Sequence, residues 1–137
     1  MRFPTMSRGA LARPILPLLV EGAGGQRLIV DALVDTGADL TLFPFDVAVA
    51  LGLDLTRLPQ IPVGSALGQQ LTYAALDLVL ELRSLPDVFR WRATVGILSQ
   101  PMTFAILGTR GFFEYFRLHY DWSSQFVEIE PSGPFPP

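Results

Sequence analysis

From Leu76 to Arg83, leucine recurs at every second position as Leu76, Leu78, Leu80 and Leu82, with Asp77, Val79, Glu81 and Arg83 between. Alternate side chains of an extended chain point to opposite faces, so this run reads as a strand covering a core with its leucine face. Phe89, Trp91, Ala93 and Val95 repeat the period, and Ser84-Leu85-Pro86-Asp87 reads as the turn that pairs the two runs. Arg117 to Trp122 and Gln125 to Glu130 make a second pair around Ser123-Ser124. Ile15 to Val20 and Arg27 to Val34 make a third around Gly22-Ala23-Gly24-Gly25. The stretch from Leu11 to Val20 is interrupted by Arg13, Pro14 and Pro17, which suits a proline-bearing edge strand and is too broken to span a bilayer.

Two stretches read as helical. Pro44 suits the first helical position ahead of Asp46 to Leu51, with Gly52 as the stop, and Gly111 to Phe116 suits a helical turn or two. No repeat or linker divides the 137 residues, so one mostly β domain is expected, with its core over about residues 13–130 and a proline-rich, loose tail over 131–137.

Composition narrows the chemistry. Half the residues are apolar and 17% are charged, far from the range of disordered chains. All ten basic residues are arginine against 13 acids, a net charge of -3, which argues against a nucleic-acid surface. With no cysteine there is no thiolate metal site, disulfide or Cys nucleophile, and with one histidine, His119, no His-rich zinc site. Carboxylates remain. The acids are scattered singly along alternating strands, which suits no metal, and no serine sits in a Gly-x-Ser-x-Gly elbow that His119 would serve. His119 falls on a solvent face, whereas Trp91, Trp122, Phe112, Phe113, Tyr115 and Phe116 read as core or interface.

The stretch that carries chemistry is Leu33-Val34-Asp35-Thr36-Gly37-Ala38-Asp39-Leu40-Thr41, in which an apolar strand delivers a carboxylate into a turn. Gly37 permits close approach, and the amides after Asp35 can point at its oxygens. Alone, Asp-Thr-Gly is a modest signal, since a turn closing a hairpin needs only Asp and Gly at the corner. Downstream stand a glycine-containing tip, Gly64-Ser65-Ala66-Leu67-Gly68, ahead of a long strand, and the buried-looking strand Phe104-Ala105-Ile106-Leu107-Gly108.

An acid-bearing loop, a hairpin tip and a hydrophobic-hydrophobic-Gly strand, in that order from about Ile15 to Glu130, resemble the retroviral-type aspartic proteases (retropepsins). The resemblance implies an all-β fold, a small closed β barrel of the acid-protease type with one or two short helices. It implies that Asp35 is catalytic and that Thr36 braces two active-site loops across a dimer. Gly37 and Ala38 line the substrate channel, with Asp39 beside them. Gly64, Ser65, Ala66, Leu67 and Gly68 form the tip of a flap over the substrate, and Ile106, Leu107 and Gly108 support the catalytic loop from behind. Tyr73, just after the tip, faces either the substrate or the packed wall. The retroviral pattern has Arg directly after the second glycine, paired with the acid after the alanine. Here Thr109 stands in that place and Arg110 follows, so an Asp39 to Arg110 pair requires a shifted loop.

Aspartic proteolysis uses two carboxylates about 3 Å apart that share one proton, as aspartic proteases in general do. This chain carries a single Asp-Thr-Gly, so the second acid is expected from another copy on a twofold axis. The expectation is a homodimeric aspartic endopeptidase, acting on polypeptide substrate at acidic to mildly acidic pH, with no metal, cofactor, nucleic acid or membrane segment. A cytoplasmic setting is expected unless the chain is excised from a membrane-anchored precursor. The alternative is a catalytically weak dimeric module that binds peptides or regulates with the same fold.

Overall fold

The computed structural model describes residues 1–8, 11–63 and 71–135. Its strands, in chain order, are β1 (Arg2–Pro4), β2 (Met6–Arg8), β3 (Leu11–Arg13), β4 (Ile15–Glu21), β5 (Arg27–Val34) and β6 (Leu42–Phe43), followed by the helix α1 (Phe45–Ala50). After it come β7 (Ile61–Val63), β8 (Leu71–Ser84), β9 (Asp87–Leu98), β10 (Ala105–Leu107), β11 (Phe116–Asp121) and β12 (Phe126–Pro131).

The three expected hairpins form: β4 with β5, β8 with β9, and β11 with β12. Neighbouring strands then run β4-β5-β10-β6-β9-β8, and β8 pairs back onto β4, which closes a six-strand mixed barrel. Closure removes the open edges that a flat sheet would expose. The leucine face of β8 turns inward as predicted by its period: Leu78, Leu80 and Leu82 are buried, as are Trp91, Ala93 and Val95 of β9. β4 is no edge strand, because Leu19–Glu21 pair with β8 while the whole strand pairs with β5. Its proline is tolerated because Pro17 lies ahead of the stretch where the second partner begins.

A second sheet, β1-β12-β11, packs beside the barrel. It brings Phe3 into the core at 5% exposure, although Phe3 lies outside the expected core span. The tail is tied down over residues 131–135: Pro131 is the last residue of β12, opposite Phe116, and the Phe135 ring sits 5.2 Å from that of Phe116 and 5.6 Å from that of Phe89. Trp91 anchors this cluster, edge-on to Phe116 at 4.7 Å, and its indole N–H donates to the Gly111 carbonyl at 2.9 Å.

The helix falls within its punctuation, one residue shorter at each end: Pro44 is the extended N-cap, Leu51 the C-cap, and the chain turns away at Gly52, φ 65°. Residues 111–115 form consecutive turns and no regular helix, because the Phe113 and Glu114 N–H groups reach five residues back to the Gly108 and Thr109 carbonyls. No helix among the described residues is long and apolar enough to cross a membrane.

Candidate active site

β5 runs parallel to β10 with Val34 opposite Leu107, and the chain leaves β5 at Asp35. The Asp35 N–H still donates to the Leu107 carbonyl at 3.0 Å, so the sheet holds the residue that opens the turn. The turn then closes on its own side chain: the Gly37 N–H donates to Asp35 Oδ1 at 3.0 Å, and the Ala38 N–H to the Asp35 carbonyl at 3.2 Å. A short Asp side chain favours this geometry because it reaches the amide two residues on. The result is an oriented, half-buried carboxylate flanked by exposed Thr36 and Gly37.

The rest of the loop is laced to the segment after β10. The Thr109 N–H donates to the Ala38 carbonyl and the Arg110 N–H to the Asp39 carbonyl, each at 2.9 Å, and Leu40 bridges Arg110 in parallel. Asp39 and Arg110 are thus joined through the main chain, and among the described residues no ion pair links their side chains. Both are exposed, where an ion pair gains little over hydration.

Gly108 is where the two segments cross. A Cβ there would lie 2.6 Å from the Leu40 carbonyl oxygen and 2.8 Å from that of Ala38, and both are backbone atoms with nowhere to go. Its N–H donates to Thr41 Oγ1 at 3.1 Å, in the interior. Thr41 is fully buried and ties three segments: its hydroxyl to Gly108, its N–H to the Arg110 carbonyl, and its carbonyl to the Gly96 N–H of β9. Sequence reasoning passed over Thr41, yet a signal was present, since it is the one polar residue in Leu40-Thr41-Leu42-Phe43.

Beside the turn lies a cavity of about 440 Å³, lined among the described residues by Gly37, Ala38, Asp39, Leu40, Leu42, Pro62, Val63 and Tyr73. It brings together four residues picked from sequence, Gly37, Ala38, Asp39 and Tyr73, from two distant parts of the chain. An oriented carboxylate next to a trough of mixed polar and apolar lining that ends at a strand pair, β7 with β8, is an arrangement suited to an extended peptide.

Over 95% of this chain and 98% of the other, the structure aligns at a TM-score of 0.66 and 18% identity with a retropepsin-like aspartic protease from Rickettsia conorii. The fold is retropepsin-like. The retroviral protease-like domain of Ddi1 from Leishmania major aligns too, at a TM-score of 0.56 and 14% identity over 90% of this chain and 92% of that one. No protein-family model and no curated protein sequence matches the chain.

Within this retropepsin-like barrel, Ile106, Leu107 and Gly108 lie directly against the Asp35 loop. Gly64, Ser65, Ala66, Leu67 and Gly68 lie outside the described residues; the strands on either side of them pair, with Val63 opposite Leu71. His119 is exposed on β11, in a separate charged depression with Arg117, Glu128 and Glu130. Trp122 is 55% exposed and packs edge-on to Tyr120, so it is outside the core.

Proposed function

We propose that the chain is one half of a homodimeric aspartic endopeptidase. The observation that carries this reading is the Asp35 carboxylate, held by the Gly37 amide at 3.0 Å on a loop strapped to β10 and bordering the cavity that ends at β7 and β8. The loop is exposed at Thr36 and Gly37, which leaves it free to meet its symmetry mate. In the reaction, the ionised carboxylate of one protomer takes a proton from a water, whose oxygen attacks the scissile carbonyl carbon. The protonated carboxylate, Asp35 of the partner subunit, hydrogen-bonds to the carbonyl oxygen as charge develops there. The resulting diol collapses, the C–N bond breaks, and the amide nitrogen leaves with a proton from the dyad. The cysteine-free composition suits a reducing setting such as the cytoplasm.

The test is incubation of the chain with a mixed peptide library between pH 4 and 7, beside Asp35→Asn, with solution mass measured on the same samples. Cleavage by the wild type alone, from a dimer, is the expected result. A strict monomer, or a verified dimer that binds peptides without cutting them, replaces this reading with that of a binding or regulatory module.

A further inference from the structure

Leu40 and Leu42 from one segment and Tyr73 from a distant one line the same cavity beside the Asp35 turn. All three converge on Gly96 of β9. A Cβ on Gly96 would stand 2.7 Å from Leu42 Cδ2, 2.8 Å from Tyr73 Cδ2 and 3.1 Å from Leu40 Cδ2. The missing side chain is therefore a notch in the barrel wall into which these three sink.

The backbone at the notch has no freedom to retreat. Gly96 is paired with Ala75 on one side and Leu42 on the other, and its N–H donates to the Thr41 carbonyl at 2.9 Å. Its neighbours Val95 and Ile97 are buried, at 0% and 1% exposure. Leu40, Leu42 and Tyr73 are only partly buried, because their remaining open side is the cavity. Any atom added at Gly96 is thus paid for in cavity volume.

We infer that Gly96 is a positioning residue that sets the depth of this cavity and, through Leu42, Tyr73 and Leu40, the size of the side chain it admits. The inference rests on the proteolytic reading above and adds to it the residue that sets the size limit of this pocket. A pocket whose wall is stiff on one side discriminates by volume, and a change of about one methyl or methylene alters selectivity by roughly tenfold or more.

The experiment measures kcat/KM for a matched pair of peptides, Phe against Ala at the most selective position of a cleaved library sequence. The wild type, Gly96→Ala, Tyr73→Ala and the double variant are compared. Gly96→Ala is expected to lower the Phe to Ala ratio by about tenfold. Tyr73→Ala is expected to shift preference towards still larger side chains, and the double variant to return towards wild type. A merely structural role would lower both rates together and leave their ratio unchanged. An unchanged ratio in active single variants overturns the inference, and if Gly96→Ala does not fold, Tyr73→Ala alone decides it. If the wild type cuts nothing, the proteolytic reading fails separately. The same peptides are then compared by binding, where equal loss of Phe and Ala affinity in the variants overturns the role of the notch.

Discussion

The loop that carries Asp35 and the segment it leans on, residues 107–112, touch along their length and differ in almost everything else. Thr36, Gly37 and Asp39 are exposed, whereas Leu107, Gly108, Gly111 and Phe112 are buried on either side of exposed Thr109 and Arg110. Apart from the two bonds that close the Asp35 turn on itself, the loop's described hydrogen bonds run inward, to β10 and the residues after it, and the supporting segment is in turn pinned from behind by Thr41 and the Trp91 indole. Position is supplied by one region and chemistry by the other. Binding and catalytic groups commonly sit on surface loops held by a rigid scaffold, and here the division falls between two segments in direct contact.

The contrast predicts that changes to the two regions separate activity from stability. The largest expected effect is on activity alone: Asp35→Asn keeps an oxygen for the Gly37 amide but no ionisable group, so peptide cleavage falls by about 10²–10⁴-fold or more. Its unfolding free energy should stay within about 0.5 kcal/mol of wild type by urea titration. A large loss of stability instead would mean that the loop helps to hold the barrel, and the contrast would break.

Across the contact the order reverses. Gly108→Ala places a carbon against two backbone carbonyls and is expected to cost about 1–3 kcal/mol, with activity lost as a consequence of the displaced loop. Thr41→Val removes the acceptor of the buried Gly108 N–H and is expected to cost about 1–3 kcal/mol, while Thr41→Ser, which keeps the hydroxyl, should retain most of the stability. Equal stability for Val and Ser at this position would show that the hydroxyl contributes little to the support.

This division also explains what was legible beforehand. The β8–β9 pair could be read because its core face repeats every second residue over a long run and its partner is the next strand in sequence. Asp35 could be read because the residues that orient it, Gly37 and Ala38, are its immediate neighbours. β6 could not, since two residues, Leu42–Phe43, have no period, and their partners are more than fifty residues away. Nor could the pairing of Arg2 with Glu128, which joins the two ends of the chain. Thr41 and Gly96 owe their importance to crossings between distant segments. Nothing in the local sequence says that a glycine in Val95-Gly96-Ile97 will face three side chains.

The smallest predicted effect concerns the seam that closes the barrel, where only Leu19–Glu21 of β4 meet β8. Arg90 of β9 reaches over this seam to Glu21 at 2.8 Å, and also lies 3.6 Å from Glu81, the buried acid that pairs with Arg83. The hydrogen bond from Arg90 is the main cause that holds the Glu21 carboxyl below its ordinary 4.5, assisted by Arg27 and opposed by partial burial. A carboxylate with a depressed folded value stabilises the fold above its unfolded value, and that contribution is lost as pH falls through the folded one. Melting temperature should therefore decline as pH drops below about 4.5, and the part of the decline due to Glu21 should be absent in Glu21→Gln. Because the pair is solvent-screened, the difference between the two curves should be modest and should shrink further in high salt. The seam lies away from the Asp35 loop in sequence and, among the described residues, shares no hydrogen bond with it, so Glu21→Gln should leave the pH profile of cleavage unchanged while it flattens that of stability. A shift in both would show that the support extends from the 107–112 segment to the whole barrel wall, and that the division between positioning and chemistry is drawn too narrowly.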